Sequence, residues 1–508
     1  METSTSGAAA ARRLAWVLGA VTFLAHFALN GRYGFFRDEL YFIACGHHLA
    51  WGYVDQPPLV AVMARLGELL GGGSLWGFRV PANAAAAACV VLTGLLAVRL
   101  GGGRFAVALA AALVAFAPDM LVRGHLLTMN AFEPVLWLAT VHVLAGMLRE
   151  PAARHWPLVG LLVGVALLNK YSALFLVAGL VVGLVVTPQR TLLRSPRFAV
   201  AVALAALLVL PNVLWQAAQG WPMLELLRNG QLHKNAPFAL GGFLSQQLLM
   251  LGPPAVLTAL AGAIWLLRAP PARPFRALAV GLLTAELLFV LGKAKPYYPT
   301  ALFPPLIAAG AVLLGRVLAA RGRTAALTVA LVPGLIVAPL AVPVLSPQSF
   351  IAYQAALGLR PKPLERKVMG VLPQHYADQF GWDELVATVS RAWARLPPEA
   401  RARTGLYAQN YGEAGALDFF GRRERLPPAL SGHNQYWLWG GAAPEVDGLI
   451  IVGGDPEDHR KECARVELLE RTPENSYVMP YENALPIWHC AGLRRPLAQL
   501  WPSTRRYE

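Results

Sequence analysis

Charged residues and cysteines are scarce in this sequence. Only 14% of its 508 residues are Asp, Glu, Lys or Arg, and it contains four cysteines. An average soluble protein is about 25% charged, so this composition excludes an ordinary soluble globular protein. Four cysteines are too few for a disulfide-dense scaffold, and a hydrophobic content of 56% excludes a disordered chain.

The hydrophobic residues are concentrated in the first two thirds of the chain. Runs of Ala, Leu and Val fill residues 1–345, whereas residues 346–508 have the composition of a soluble protein. A helix needs about 20 apolar residues to cross a bilayer. About eleven segments qualify: 14–30, 78–98, 105–121, 131–148, 157–169, 172–187, 198–215, 244–267, 277–292, 299–315 and 324–345. The sequence therefore predicts a mainly α polytopic membrane protein.

The distribution of charge predicts its orientation. Residues 1–345 contain 25 Lys and Arg against 10 Asp and Glu, a net of +15, and residues 346–508 contain 19 of each. Lys and Arg accumulate in cytoplasmic loops. If the N-terminus is cytoplasmic, every cytoplasmic loop is basic, and an odd number of spans leaves residues 346–508 outside. We expect a multi-pass protein of the plasma (inner) membrane. A nucleic-acid partner is not expected, because the positive charges are spread among apolar spans.

Two of the predicted outer loops are long, residues 31–77 and 216–243. Long loops in compact proteins are usually functional or disordered, and the aromatic first loop argues against disorder. We predict a transmembrane domain over residues 1–345 that includes both loops. Strand-like runs such as 448–454 and a helical stretch near 383–396 predict an α/β or α+β extracytoplasmic domain over residues 346–508.

Three acids lie at or near predicted outer membrane surfaces. Asp38 and Glu39 follow an aromatic pair, where an acid is costly unless it is paired, hydrated or functional. A salt bridge to a neighbouring arginine, or a favourable place at a helix N-terminus, explains them equally well. Glu133 precedes Pro134 near the start of a span, so it is a candidate site acid or an ordinary helix-start acid.

Asp55 and His233 are candidate metal ligands. Asp55 precedes Gln56-Pro57-Pro58, so it is either a rigidly placed carboxylate or the N-cap of the next helix. Carboxylates from the first loop and a histidine from the second long loop suit a divalent cation. No other cofactor is indicated.

A further set of residues suits a lipid phosphate. Ammonium and phenol groups at headgroup level donate hydrogen bonds to phosphate oxygens, and an ordinary aromatic belt with lysine anchors is the alternative. The candidates are Lys293, Lys295, Tyr297, Tyr298 and, in the second long loop, Arg228. Lys170 and Tyr171 show the same pattern more weakly. Cys463 and Cys490 both lie in the predicted outer domain, where a disulfide would persist, and the sequence leaves their pairing open.

Five stretches occur in a fixed order along the chain. They are RDELYFIACGHHLAWGYVDQPPL, TMNAFEPVLW, LLNKYSALF, GQLHKN and KPYYPTALFPPL. Together they resemble the bacterial C-type membrane glycosyltransferases of the dolichyl-phosphate-mannose protein mannosyltransferase and aminoarabinose transferase superfamily. The runs NYGEAGALDFFG and MPYENALPIWHCAGLRRPLAQLWP resemble the outer domain of a bacterial subgroup.

The resemblance implies roles for residues of the two long loops. Asp38 matches the family's first-loop catalytic aspartate. Asp55 matches the acid before the Pro-Pro-Leu turn, which contacts a metal in the aminoarabinose transferase. A basic residue follows that acid there, whereas Gln56 follows it here, so one phosphate contact is missing or moved. His233 is the counterpart of that enzyme's histidine in the second long loop.

The resemblance is less complete for the residues near the spans. The second family aspartate has no clean match, and Asn130 or Glu133 occupies its region, which puts a two-carboxylate mechanism in doubt. Tyr297 or Tyr298 matches a tyrosine that contacts the donor phosphate in the family.

The resemblance implies an enzyme that moves a sugar from a polyprenyl-phosphate donor to a cell-envelope glycolipid, polysaccharide or protein on the outer face. With Asp38 as base, the expected reaction is a single displacement with inversion. The alternatives are a multi-span transporter or flippase of a lipid-linked substrate, and a surface scaffold that acts through residues 346–508. Few ionisable residues lie within the spans, which argues against the transporter.

Overall fold

The computed structural model describes residues 5–150, 153–363, 365–440 and 446–508. The α-helices of the first two thirds are α1 Thr5–Phe27, α2 Arg37–His47, α3 Leu59–Gly71, α4 Leu75–Phe78, α5 Val80–Arg99, α6 Arg104–Ala115, α7 Pro118–His125, α8 Met129–Arg149, α9 Trp156–Asn169, α10 Ala173–Val185, α11 Pro196–Ala218, α12 Pro222–Asn229, α13 Leu240–Leu251, α14 Pro253–Arg268, α15 Arg276–Leu291, α16 Phe303–Val317 and α17 Ala320–Ala341. The later elements are α18 Pro347–Ala356, α19 Gln374–Ala377, α20 Trp382–Ala394, α21 Pro398–Arg401, β1 Thr404–Tyr407, α22 Tyr411–Phe420, β2 Ala429–Leu430, α23 Gln435–Trp439, β3 Gly448–Val452, α24 Pro456–Glu462, β4 Cys463–Arg471, β5 Pro486–Leu493 and α25 Leu497–Leu500.

The chain forms two compact units. The first, here called the membrane unit, comprises Met1–Asn30, Leu69–Leu214 and Pro237–Val344. The second, here called the C-terminal unit, comprises Leu345–Glu508 together with Gly31–Glu68 and Trp215–Ala236. Most of each long loop predicted from the sequence therefore belongs to the same unit as the C-terminal region.

Among the described residues, seven helical segments are long and apolar enough to cross a membrane. They are Ser6–Phe27, Leu75–Arg99, Met129–Arg149, Pro196–Ala218, Pro270–Leu291, Pro299–Val317 and Ala320–Ala341. Three sharply bent helix pairs raise the number to ten if each pair is one span, and Ala153–Asn169 is a shorter apolar stretch. The chain is thus an integral membrane protein, as predicted, but the count of eleven is not confirmed.

Proline accounts for the bends. The bent pairs are α6 with α7 at 69°, α10 with the 3-10 helix Pro188–Arg194 at 113°, and α13 with α14 at 105°. In each pair the second helix begins with a proline, namely Pro118, Pro188 or Pro253. Proline lacks the backbone N–H that would continue the preceding helix, although it fits the first turn of a new one. The predicted spans 105–121 and 244–267 therefore each contain a sharp bend between two helices.

Small residues let the helices of the membrane unit pack closely. A Cβ atom at Gly179 of α10 would lie 2.2 Å from the carbonyl oxygen of Gly281 in α15. A Cβ atom at Gly310 of α16 would lie 1.9 Å from the carbonyl oxygen of Thr258 in α14. Because hydrocarbon provides no hydrophobic force between helices, close backbone contact of this kind is a main source of stability within a membrane.

A five-stranded mixed sheet organises the C-terminal unit, with strand order β2-β1-β3-β5-β4. Strand β1 pairs in parallel with β2 and β3, and β5 pairs antiparallel with β3 and β4. Helix α22 connects β1 to β2, as a parallel pair requires. The sequence predicted both the strand over 448–454 and the helix near 383–396. A disulfide joins Cys463 of β4 to Cys490 of β5, which answers the question that the sequence left open.

Candidate functional site

Asp38 lies in the first turn of α2, where the helix dipole favours an acid. Its side chain is 30% exposed, and Arg37 Nε lies 3.6 Å from Asp38 Oδ1. Both structural alternatives considered for this residue are therefore present. Arg37 contacts one oxygen of the Asp38 carboxylate, and solvent still reaches the side chain.

Helix α22 approaches α2 closely because two glycines face it. A Cβ atom at Gly412 would lie 2.2 Å from Arg37 Cγ, and one at Gly415 would lie 2.9 Å from the backbone of Leu40. These glycines are three residues apart, so they share one face of α22. The NYGEAGALDFFG run thus brings the start of α22 against the start of α2.

This packing places Tyr411 at Asp38. The Tyr411 hydroxyl donates a hydrogen bond to Asp38 Oδ1 at 2.9 Å, and the Arg37 guanidinium lies 5.2 Å from the centre of the Tyr411 ring. Arg37 also donates to the hydroxyl of Tyr481 at 2.9 Å and lies 3.9 Å from Asp378. Burial raises the pKa of Asp378, and the positive charge of Arg37 opposes that shift. Arg37 is itself buried, and these contacts fix its position.

Asp55, the second acid of the first loop, is held through both of its oxygens. Tyr41 donates to Oδ1 at 2.8 Å, and Asn434 donates to Oδ2 at 3.1 Å. Burial, together with the negative charge of nearby Asp38, raises the pKa of Asp55 to about 6, although these hydrogen bonds oppose the shift. The N-cap alternative is wrong, because α3 begins only at Leu59 and the carboxylate is used elsewhere.

Stacked aromatic rings connect the two acids. The centres of the Tyr41 and Tyr411 rings lie 4.6 Å apart, and the two ring planes meet at 30°. The centre of the His433 ring lies 4.7 Å from that of Tyr411. Tyr41 bonds to Asp55 and Tyr411 bonds to Asp38. A single aromatic stack therefore sets the position of both carboxylates, and burial lowers the pKa of His433 within it.

Glu39 has a different role from its neighbour. Its side chain is fully buried, and its Oε2 accepts a hydrogen bond from the backbone N–H of Phe36 at 2.9 Å. This is the return contact of a capping box, in which the third residue of a helix satisfies the N-cap amide. Glu39 thus stabilises the turn that presents Asp38.

Glu133 lies in a buried polar cluster of the membrane unit. Its carboxylate accepts from Arg123 at 3.1 Å, from Lys170 at 3.4 Å and from the Ser172 hydroxyl. Arg123 also bonds to Asp119 at 2.6 Å. Losing one of these partners would leave an uncompensated buried charge.

The helix-start interpretation of Glu133 is wrong. Helix α8 begins at Met129 with Thr128 as its N-cap, so Glu133 and Pro134 lie in the second turn. Pro134 cannot donate to the carbonyl of Asn130 four residues earlier. Arg123 donates to that carbonyl instead, at 3.0 Å. The proline thus frees the backbone group that helps to hold Arg123.

Lys170 connects this cluster to the predicted phosphate-binding turn. Its Nζ donates to Asn130 Oδ1 at 2.8 Å and lies 3.8 Å from the centre of the Tyr298 ring. Tyr297 packs edge-on against Tyr298, with ring centres 4.8 Å apart. Lys293 and Lys295 occupy the turn between the end of α15 and the 3-10 helix Pro299–Leu302. Asn130, Glu133 and the tyrosine pair are therefore neighbours around one lysine.

The two candidates in the second long loop are exposed. His233 lies on the π-helical turn Gly230–Lys234, and Arg228 is near the end of α12. No group of three or more His, Cys, Asp or Glu in the described part of the chain could hold a metal ion, and both Asp55 oxygens already accept protein hydrogen bonds. The described residues do not fit a metal site at Asp55 and His233, so we derive no catalytic step through a metal.

Comparisons with known proteins show which proteins this chain is similar to. Residues 55–215 match the family model of dolichyl-phosphate-mannose-protein mannosyltransferase. The lipid A galacturonosyltransferase RgtD of Rhizobium johnstonii is 29% identical to this chain over 201 residues. That match covers 36% of this chain and only 38% of the relative's length.

Solved structures extend the likeness to nearly the whole chain. ArnT from Cupriavidus metallidurans in the apo state has a TM-score of 0.60 at 14% identity, and the match covers 95% of this chain and 98% of ArnT. The predicted resemblance to the C-type membrane glycosyltransferases is confirmed. ArnT bound to undecaprenyl phosphate gives a TM-score of 0.58 at 15% identity, covering 94% of this chain and 97% of ArnT. The arabinofuranosyltransferase AftD from Mycobacteria gives 0.52 at 17% identity, with 95% of this chain matched to 40% of AftD.

Several residues of this C-type glycosyltransferase fold were not predicted from the sequence as site residues. Tyr411 and Asn434 contact the first-loop acids, and Arg123 organises the Glu133 cluster. Tyr411 lies in the NYGEAGALDFFG run that carried part of the resemblance, but the sequence did not predict its contact with Asp38. Arg123 follows Asp119 by four residues, and this spacing favours an ion pair on a helix. The sequence therefore contained one signal for the structural role of Arg123.

Proposed function

We propose that this chain is an integral membrane glycosyltransferase that moves a sugar from a polyprenyl-phosphate donor to a cell-envelope glycolipid. The observation that carries the proposal is the partly exposed Asp38 carboxylate, oriented by Tyr411 at the start of α2. Relatives support the substrate classes. RgtD is named for lipid A, and ArnT has been solved with undecaprenyl phosphate. Undecaprenyl phosphate and lipid A are therefore the first donor carrier and acceptor to test.

The proposed reaction is a single displacement with inversion at the anomeric carbon. The acceptor hydroxyl oxygen attacks that carbon, and its proton passes to Asp38 acting as general base. The bond between the anomeric carbon and the phosphate oxygen breaks, and its electron pair leaves with the polyprenyl phosphate. Because phosphate is a good leaving group, no covalent enzyme intermediate is needed. Glu39 and Glu133 hold structural contacts, so we assign neither of them the base.

The leaving phosphate needs cations and hydroxyl donors. Lys293, Lys295, Tyr297, Tyr298 and Arg228 remain the proposed donor-phosphate residues. Lys170 joins them, because its ammonium already lies over the Tyr298 ring in the same turn region.

We propose the inner membrane as the location, with a cytoplasmic N-terminus and the C-terminal unit outside the cytoplasm. The Cys463–Cys490 disulfide supports this orientation, since disulfides persist in oxidising compartments. The basic loops counted in the sequence support it independently. Eleven spans would satisfy this topology if the short stretch Ala153–Asn169 and each bent pair all cross the bilayer.

The test is transfer by the purified chain in proteoliposomes, with radiolabelled undecaprenyl-phosphate sugars as donors and lipid A as acceptor. We expect labelled lipid A from the wild type and a loss of about 100-fold or more in Asp38→Asn, which is the usual contribution of a general base. Asp458→Asn, on the exposed helix α24, is the matched control and should retain full activity.

Two outcomes would contradict the proposal. Transfer by Asp38→Asn at the control rate would remove Asp38 as base. Movement of the donor across the bilayer without formation of a glycosidic bond, for every sugar in the panel, would instead favour the transporter alternative.

A further inference from the structure

A large basic cavity lies in the membrane unit, apart from the residues assigned to the proposed reaction. Its volume is about 670 Å³, and four arginines, two histidines and a single glutamate line it. The arginines are Arg12, Arg99, Arg149 and Arg154. They come from α1, from the ends of α5 and α8, and from the 3-10 turn Ala153–His155, so four separate segments converge on one space.

Two of these arginines are held by backbone contacts. Arg99 donates to the carbonyl of His142 in α8 at 2.6 Å, and Arg149 donates to the carbonyl of Arg99 at 2.9 Å. A Cβ atom at Gly146 would lie 2.4 Å from Arg99 Nη1, so a larger residue there would displace that guanidinium. Cations near helix C-termini are ordinarily favourable, and this explains why Arg99 and Arg149 are tolerated here.

That explanation does not extend to Arg12 and Arg154. Both side chains are exposed to solvent, and neither forms an ion pair within the described ranges. Glu150 is the one acid in the cavity lining, so the lining carries four positive charges against one negative charge. Like charges gathered in one cavity repel each other, and a bound anion relieves that repulsion.

Guanidinium chemistry indicates which anion would bind. Arginine presents a planar fork of N–H donors that matches the oxygens of phosphate, and it is preferred over lysine where phosphate is bound in two-point contacts. Basic pockets between transmembrane helices bind phospholipid headgroups in this way. The cavity lining also includes Trp16, Leu95 and Leu158, which suit the glycerol and acyl part of a lipid.

We propose that this cavity is a phosphate-binding site, with the headgroup of an anionic phospholipid or a soluble phosphate as its source. The inference does not depend on the proposed glycosyltransferase activity. It requires only that the four arginines act together, and that a zwitterionic headgroup, whose own ammonium offsets its phosphate, binds more weakly.

The experiment titrates the detergent-purified full chain with phosphatidylglycerol, phosphatidylcholine or inorganic phosphate at constant ionic strength. Bound lipid is counted by native mass spectrometry, and the thermal midpoint is followed in parallel. The test variant is R12Q/R154Q, because neither side chain forms a hydrogen bond with another of the described residues. The matched control is R194Q/R197Q, which removes the same charge from exposed arginines outside the cavity.

We expect phosphatidylglycerol to bind the wild type and the control with equal affinity, and R12Q/R154Q about tenfold more weakly, as the loss of charge-assisted contacts predicts. Arg99→Gln should weaken binding further. An equal effect of inorganic phosphate would identify a soluble ligand and still support the site. Equal binding of phosphatidylglycerol to all variants, or equal binding of phosphatidylcholine and phosphatidylglycerol to the wild type, would overturn the proposal.

Discussion

Tyr411 donates a 2.9 Å hydrogen bond to Asp38, although 373 residues separate them in the sequence. The contact joins the proposed base in the first long loop to the first residue of α22. Asp55 is held in the same way, since Asn434 reaches it from the C-terminal region. Side chains that follow residue 345 in the sequence therefore fix the direction of both first-loop acids.

Replacing Tyr411 with Phe should lower kcat by about tenfold and leave KM nearly unchanged. The variant keeps the stacked ring and loses only a hydrogen bond to a charged group, which is worth about 1.5–3 kcal/mol. Steady-state transfer kinetics of the variant and the wild type will check this. Tyr477→Phe is the control, and an equal loss of rate in both variants would contradict a positioning role for Tyr411.

Replacing Glu133 with Gln should lower the thermal midpoint of unfolding more than it lowers the rate of sugar transfer. The variant leaves the charges of Arg123 and Lys170 partly uncompensated, and breaking a buried ion pair costs about 3–5 kcal/mol. Unfolding followed by tryptophan fluorescence measures the effect, with Glu424→Gln at an exposed position as control. A loss of transfer at an unchanged midpoint would instead make Glu133 part of the catalytic machinery.

A pair of buried acids in the C-terminal unit should make stability depend on pH. The Asn410 amide donates to Glu413 at 2.7 Å and to Glu482 at 2.9 Å. Burial, opposed by the Asn410 hydrogen bond, raises the pKa of Glu482 to about 7, and burial with the neighbouring Glu482 charge also raises that of Glu413. Because the folded state then binds more protons than the unfolded state, stability should fall as pH rises from about 4.5 to about 7.

Glu482→Gln should flatten this dependence. The amide is neutral at every pH, so the variant loses the proton uptake that accompanies folding. Thermal midpoints measured from pH 5 to pH 8 will show a smaller decline than in the wild type, with Glu424→Gln as an exposed control. A wild-type midpoint that rises over this range, with no change in Glu482→Gln, would refute the assignment.

Chelation tests the predicted metal ligands. Because both Asp55 oxygens accept hydrogen bonds from Tyr41 and Asn434, we expect EDTA to leave most of the wild-type transfer rate intact. Asp55→Ala should be slow with or without chelator, and His233→Ala should not respond to it. Loss of wild-type transfer in EDTA and recovery with added divalent cation, absent in both variants, would restore the metal hypothesis.

The sequence predicted the broad organisation because hydropathy is a local property. Apolar runs identified most of the helices that could cross a membrane, and a short strand-like apolar run identified β3. The breaks at Pro118 and Pro253 were missed, since apolar residues continue on both sides and composition alone does not reveal a bend. Glu133 was misread for a related reason, because the helix begins at Met129, a turn earlier than the proline suggested.

By itself, the sequence determined that the chain enters a membrane, that its first loop carries the acids Asp38 and Asp55, and that its motifs occur in the order of the C-type glycosyltransferases. Only the tertiary structure decided which groups those acids contact. The Tyr411 contact depends on two glycines that let α22 approach α2, and the basic cavity depends on four separate segments of the membrane unit meeting. Such contacts join residues far apart in the chain, and no local pattern of hydropathy or charge encodes them.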